Sequence, residues 1–421
     1  MHTLDRRQFH LASAGLTLPL LANSLRADKA PSEKITLGFI GVGTMGRGHL
    51  SAFLHNPQVR VLAVSDVVAE RRDDARRIVN EFYSRDRKVS DTSCTGYNDF
   101  RDLLNRKDID AVVISTPDHW HAIPSVLAAQ ARKHIYCEKP LTHAIAHGRK
   151  IVEAVAANKV IFQTGSQQRS EFGGKFRQAV ELIRNGRIGK VKTIRIGVGG
   201  PAVPCNLPGE KVPEGTDWDL WLGPAPLREY SEVLCPKGIH RHFPAWRNYR
   251  EYAGGGLADM GAHHFDIAQW ALDMDHSGPV RIEPPQKDNS GLRFVYANGV
   301  VMIHGGPSGC TFEGTEGTIY VDRGVLQSNP KEILATPLED KAIRVYHATD
   351  HRRNWLECIR SGKPTICTAE IGHRTSTICQ LGNIGYWLRR PLTWDPVKEQ
   401  FVGDAEANKL VDREHRSPWK L

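Results

Sequence analysis

Ile35-Thr36-Leu37-Gly38-Phe39-Ile40-Gly41-Val42-Gly43-Thr44-Met45-Gly46 joins an apolar, β-branched run to three glycines without a spacer. The run has the length of a buried strand, and residues 45–55 beyond it carry a helical pattern. Gly-x-Gly-x-x-Gly is a weak signal alone, but a strand before it and a helix after it give it a physical reading. Gly41 permits the tight turn, Gly43 lets a phosphate approach the backbone, and Gly46 lets helix and strand pack closely. Thr44 and Met45 open the helix, whose free N–H groups face an anion. Asp66 ends the next apolar run, twenty residues after Gly46, where a carboxylate binds ribose hydroxyls. That carboxylate disfavours a 2′-phosphate, so NAD is expected in preference to NADP. Arg71 and Arg72 weigh the other way, since either can reach a phosphate.

Working outward, apolar runs at 35–40, 59–65, 111–115, 134–137 and 160–163 alternate with helical patterns near 45–55, 68–83, 121–131 and 142–157. Continuous apolar strands separated by helices predict a doubly wound parallel sheet covered on both faces. After Gly165 the pattern changes. A helix at 173–184 leads to a strand at 191–198, then to an irregular, Pro-, Gly- and aromatic-rich stretch at 200–253. A helix is expected from about 257 to 272, then strands at 280–283, 292–296, 299–304, 310–313 and 317–321. Turn signals such as Asn289-Ser290-Gly291 and Ala297-Asn298-Gly299 between them predict an antiparallel sheet. Helices near 350–361 and 369–388 are expected to end the ordered part. The fold class is therefore α/β: an N-terminal Rossmann domain at 33–165, then a C-terminal α+β domain with an open, mostly antiparallel sheet at 166–350. Residues 351–421 are expected to pack back on the core.

The 421 residues are 40% hydrophobic and 24% charged, ordinary for a soluble protein with a sizeable core. The net charge of +9 is spread along the chain, with no basic block or basic aromatic helix, so nucleic acid is not an expected partner. Residues 1–27 read as an export signal. Arg6-Arg7-Gln8-Phe9 is a twin-arginine element, an apolar run from 11 to 22 follows, and small residues to Ala27 suit cleavage. Twelve apolar residues fall short of the ~30 Å of bilayer hydrocarbon, so no stable membrane anchor is expected. The twin-arginine route predicts a periplasmic protein exported already folded. Eight cysteines show no C-x-x-C and no zinc spacing.

Three segments can bring polar groups to a nicotinamide. Ser115-Thr116-Pro117-Asp118-His119-Trp120-His121 and Glu138-Lys139-Pro140 lie at strand carboxyl ends, where doubly wound sheets bind ligands. The third is Gly254-Gly255-Gly256-Leu257-Ala258-Asp259-Met260-Gly261-Ala262-His263. Removing hydride from a secondary alcohol requires a group to take the hydroxyl proton, and histidine suits that task. Asp259 and His263, four apart on one expected helix, should share a face, so the carboxylate can orient the imidazole or contact a substrate hydroxyl. Lys139 can stabilise alkoxide charge. Whether Lys139 or His263 removes the proton is open at this level. Thr116, Pro117, His119, His121 and Glu138 are further candidate cofactor contacts. The histidine pairs 119/121, 240/242 and 263/264 complete no recognised metal spacing, and no metal is expected.

Together these motifs resemble the family of glucose–fructose oxidoreductase, inositol 2-dehydrogenase and the rhizopine-catabolism protein MocA, over nearly the whole mature chain. The nearest subgroup is the exported one with a twin-arginine signal. The resemblance implies a Lys–Asp–His active site at Lys139, Asp259 and His263, a Lys-Pro peptide that can be cis, and a dimer or tetramer built by sheet packing. The expected substrate is a sugar or polyol. Gln168 and Arg169 follow the last Rossmann strand, and Trp246 lies in an aromatic stretch with Arg247 and Arg250, as carbohydrate pockets often do. Two functions are carried forward. One is an exported oxidoreductase passing hydride between a sugar, polyol or glycoside hydroxyl and tightly held nicotinamide. The other is an NAD-dependent glycosidase using transient oxidation at C3 and elimination, without net redox. A non-catalytic nucleotide sensor is the third reading.

Overall fold

The structure is a computed structural model and describes residues 34–85, 93–285 and 287–421. The expected export signal lies outside the described residues.

The first half alternates strand and helix: β1 (Ile35–Ile40), α1 (Thr44–Leu54), β2 (Val59–Ser65), α2 (Ala69–Ser84), β3 (Thr95–Tyr97), α3 (Phe100–Asn105), β4 (Ala111–Ile114), α4 (Ala122–Gln130), β5 (His134–Cys137), α5 (Ile145–Asn158) and β6 (Phe162–Thr164). Six parallel strands run in the order β3-β2-β1-β4-β5-β6. The sheet reverses direction of growth at β1 and β4, so their carboxyl ends open a crevice for a ligand. β4 is buried throughout, as a strand covered on both faces must be. β3 is only three residues and partly exposed, which is why no apolar run announces it.

The second half comprises α6 (Lys175–Arg184), β7 (Val191–Gly197), α7 (Trp218–Leu222), α8 (Gly255–Asp259), α9 (Gly261–Ala271), β8 (Arg281–Glu283), β9 (Arg293–Val295), β10 (Val301–Gly314), β11 (Thr318–Asp322), β12 (Val325–Asn329) and α10 (Glu332–Ala335). Then come α11 (His351–Ser361), α12 (Ala369–Leu388), β13 (Leu392–Asp395), β14 (Gln400–Phe401) and α13 (Ala405–Asn408). Eight strands form the second sheet, in the order β12-β11-β10-β9-β8-β13-β14, with β7 also paired to β10. Val301–His304 and Cys310–Glu313 both pair with Thr193–Ile196, so β7 lies between two arms of one long strand. These arms are the two separate runs read at 299–304 and 310–313. The expectation that order ends at α12 is corrected: β13 pairs with β8 and β14 with β13. Their short runs lie among Pro391, Pro396 and charged residues, too brief to show a period.

Chain beyond α11 returns to the Rossmann edge. Cys367 carbonyl accepts from Thr164 N–H at 2.8 Å, and Thr365 Oγ1 donates to Phe162 O at 2.6 Å. α12, capped by Thr368, is buried on most of its faces. The tail ends with Trp419 edge-on to Trp120, ring centroids 4.8 Å apart.

Arg169, in the turn after β6, is 1% exposed at its side chain and pairs with Asp266 of α9 and with Asp275, each at 2.7 Å. Thr375 of α12 donates to Asp266 Oδ1 at 2.9 Å. This network knits the last Rossmann turn to two helices. Removing one partner leaves buried carboxylates uncompensated, so Arg169→Leu should cost about 3–5 kcal/mol in chemical denaturation. Burial also lowers several histidines, with His119, His264 and His351 each at about 4. Unfolded histidine titrates near ~6.5, so the unfolded chain binds protons below that pH that these sites refuse. Melting temperature should therefore fall as pH drops from about 6.5 toward 4.

Candidate functional site

A cavity of about 360 Å³ opens over the carboxyl ends of β1, β2, β4 and β5 and runs under the 234–247 segment to α8 and α9. Gly41, Gly43, Thr44, Met45, Asp66, Thr116, Pro117, Glu138, Lys139, Trp246, Asp259 and His263 all line it. Gly46 does not; it packs helix on strand, and a Cβ there would collide with the Gly41 carbonyl. His119, His121, Gln168 and Arg169 also stay outside the lining.

The residues fit a dinucleotide. A Cβ at Gly43 would meet nothing within 4 Å, so the turn leaves open space for a phosphate. Gly41 sits at φ +84°, the left-handed region that favours glycine. Ser115 Oγ and Thr116 Oγ1 are buried on the cavity lining and have no hydrogen-bond partner among the described residues. Asp66 accepts from Val42 N–H at 2.9 Å and Val68 N–H at 3.0 Å, which aims its carboxylate at the crevice. Both neighbouring arginines are engaged elsewhere. Arg71 donates to Gly238 O at 2.8 Å and to Pro236 O. Arg72 donates to the Asp66 carbonyl and to Asn98 Oδ1, both at 3.1 Å.

At the other end Lys139 Nζ donates to Asp259 Oδ1 at 2.7 Å and to the Asp259 carbonyl at 2.9 Å. The expected helix over 257–272 is interrupted there. Lys139 takes the carbonyl that would accept His263 N–H, and that N–H bonds Met260 O instead, at 3.0 Å. A side chain inserted into the i→i−4 ladder kinks a helix. Of the two roles open to Asp259, orienting the His263 imidazole or contacting a substrate hydroxyl, the first is not seen: its carboxylate goes to Lys139, with Arg247 at 3.6 Å. His263 Nδ1 has no partner among the described residues. Burial raises Asp259, but the Lys139 and Arg247 charges override it and hold the carboxyl below its ordinary value. Burial, reinforced by Lys139, pushes His263 well below its ordinary value.

The other expected contacts sort by geometry. Burial raises Glu138, but its 2.7 Å bond from His49 Nε2 together with the His49 and Lys139 charges holds the carboxyl below its ordinary value. Arg352 Nε reaches His49 Nδ1 at 3.0 Å from behind. His121 lies between Thr116 O and Pro140 O, at 2.9 and 2.8 Å, tying together the turns after β4 and β5. The Lys139–Pro140 peptide is cis. His119 meets Trp221 O at 3.1 Å and packs with Trp221 and Tyr252, a structural placement. Gln168 is turned toward His263 O and Arg323, and its neighbour Gln167 lines the cavity instead. Arg169 is spent on its buried carboxylates. Two lining residues were not singled out in the sequence, although Asp118 lies within the 115–121 segment read there. Asp118 is 5% exposed, and burial together with the Asp259 charge pushes its carboxyl well up. Arg323 comes from the distant β11–β12 turn, a separation in sequence that conceals it.

Residues 35–166 match the model of an oxidoreductase family with an NAD-binding Rossmann fold, and residues 202–421 match that family's C-terminal α/β domain. Inositol 2-dehydrogenase of Salmonella typhimurium is 34% identical over 155 residues, 36% of this chain and 42% of that protein. Alpha-N-acetylgalactosaminidase of Shewanella oneidensis is 28% identical over 213 residues, 45% of each chain. The chain thus spans less than half the length of these curated relatives. The aldose-aldose oxidoreductase of Caulobacter crescentus shares the fold at TM-score 0.59 and 15% identity, over 86% of this chain and all of that one. With both of its domains matched in order, this chain belongs to the Gfo/Idh/MocA family of NAD-binding oxidoreductases.

Proposed function

We propose that this protein is a dehydrogenase for a secondary hydroxyl of a sugar or polyol, with NAD rather than NADP as a retained cofactor. The observation that carries this reading is His263: buried, pushed well below its ordinary value, unpartnered at Nδ1 among the described residues, and on the same cavity wall as Lys139 and Gly43. Bound NAD supplies a hydride acceptor at the substrate carbon. Lys139 and Asp259 hold the hydroxyl in place, and the ammonium stabilises charge growing on its oxygen. His263 takes the hydroxyl proton, because Lys139 is already committed as a donor to Asp259. Ser115 and Thr116 supply free hydroxyls for the cofactor, and Glu138, aimed by His49, faces the same space.

Two contacts support retention. Thr44 Oγ1 donates to His242 O at 2.8 Å, and Arg71 bonds the carbonyls of Pro236 and Gly238. Both fasten the 234–247 segment across the phosphate end, where it blocks exchange. The engagement of Arg71 and Arg72 supports NAD over NADP. The twin-arginine stretch supports export to the periplasm, where a retained cofactor is an advantage. A pulse of labelled protein in a bacterium lacking the twin-arginine translocase tests that, with cytoplasmic retention expected.

The α-N-acetylgalactosaminidase relative favours a second reading, glycoside cleavage without net redox. Aryl glycosides given to the purified protein without added NAD separate the two. Aglycone release with no build-up of reduced nicotinamide selects cleavage; reduced nicotinamide without aglycone selects the dehydrogenase.

Denaturing the purified protein should release NAD, identified by mass, at about one per chain; its absence contradicts the retained-cofactor reading. His263→Ala should lower kcat by about 10²–10⁴-fold while the released NAD stays constant. Because His263 lies below its ordinary value, the acidic limb of kcat/KM should fall at a pH below the usual histidine range near ~6.5. A limb at or above that range contradicts its role as the base.

A further inference from the structure

We infer that Arg323 is a carboxylate-recognition residue at the substrate end of the cavity, and that the substrate class is a hexuronate, free or as its glycoside. The inference rests on the dehydrogenase reading and adds the chemistry of the substrate's far side.

The cations around the cavity differ in what they hold. Lys139 is paired with Asp259 at 2.7 Å. Arg247 lies 3.6 Å from the same carboxylate and donates to Pro244 O at 3.2 Å. Arg71 is spent on backbone carbonyls. Arg323, exposed on the cavity lining, is the one of these that spends no terminal nitrogen on a protein group among the described residues. Its Nε donates to Gln168 Oε1 at 3.0 Å, and its guanidinium carbon lies 4.9 Å from the Phe172 ring centroid. Its two terminal nitrogens make no ion pair and no hydrogen bond among the described residues. Asp322, the adjacent acid, makes no ion pair with its guanidinium among the described residues; that carboxylate accepts from Ser308 Oγ at 2.9 Å and from the Arg323 backbone N–H at 2.7 Å.

A guanidinium held on one edge and stacked on one face presents its remaining N–H pair as a preset bidentate site, the geometry that a carboxylate matches. The platform beneath it is under constraint. Phe172 has φ +57°, a left-handed conformation unusual for an aromatic residue, and Gly173 and Gly174 continue it at +67° and +70°. Strained backbone persists where surrounding structure over-determines it, and it clusters at ligand sites. Arg323 and His263 line the same cavity and share Gln168, whose Nε2 donates to His263 O at 3.4 Å while its Oε1 accepts from Arg323 Nε. A small ligand touching His263 is therefore within its reach. A sugar supplies the hydroxyl for His263, and a hexuronate adds the anion that this fork lacks.

The test is isothermal titration of the purified protein, with its bound nucleotide, using glucuronate and galacturonate against glucose and galactose at equal ionic strength. Each uronate should bind at least about tenfold more tightly than its neutral counterpart, the factor expected of hydrogen bonds to a charged group. Arg323→Gln should collapse that ratio to near one, and Arg323→Lys should restore only part of it. Equal affinities, no uronate binding at millimolar concentration, or a ratio that survives in Arg323→Gln each overturn the inference. The nucleotide released on denaturation is measured on the same samples. NAD present with the uronate preference absent defeats this inference alone, whereas NAD absent defeats the reading beneath it.

Discussion

The Lys139 ammonium meets the Asp259 carboxylate at 2.7 Å and the Asp259 carbonyl at 2.9 Å, across the seam between two sheets of different design. Everything chemical in the molecule is arranged around that contact. On one side, the turn after β5 carries Glu138 and Lys139, with the β4 turn tied to it through His121. On the other, the kink between α8 and α9 places His263 on the cavity wall rather than one turn along a regular helix. The pair is partly buried, its side chains 14% and 30% exposed, so its role is better described as fixing geometry than as adding stability.

The electrostatics follow from it. Two cations hold Asp259 ionised, and its charge joins burial in keeping the Asp118 carboxyl protonated further up the pH scale. The same Lys139 charge adds to burial in keeping His263 neutral. One site thus holds one carboxyl kept low, another pushed up, an imidazole pushed down and a lysine ion-paired to the first, within a small volume. Groups whose environments push their proton affinities apart are the ordinary basis for assigning acid and base roles.

Much of this was legible in the sequence, and the failures have physical causes. Continuous β-branched runs announce β1, β2, β4 and β5, and the glycine turn between β1 and α1 announces the crevice. β3 escaped because Thr95-Gly96-Tyr97 is short and half exposed, with no period to read. The Asp259–His263 spacing was read as a shared helical face, a local rule. A lysine 120 residues upstream took the carbonyl and carboxylate that rule needed, and nothing local reports that. Arg169 was read as a polar donor beside the cavity; its carboxylate partners, Asp266 and Asp275, lie about a hundred residues on and turn it inward. Arg323, on the tip of the β11–β12 hairpin, reaches the site only through the second sheet's topology.

The central claim concerns where the reacting carbon of the cofactor lies, and a crystal structure of the protein with NAD tests it most directly. The account predicts the pyrophosphate over Gly43, ribose hydroxyls at Asp66, and the nicotinamide C4 facing Lys139 Nζ and the His263 ring across a gap that fits one hydroxyl-bearing carbon. A nicotinamide ring directed away from these two side chains, or a dinucleotide bound at another surface, would contradict it.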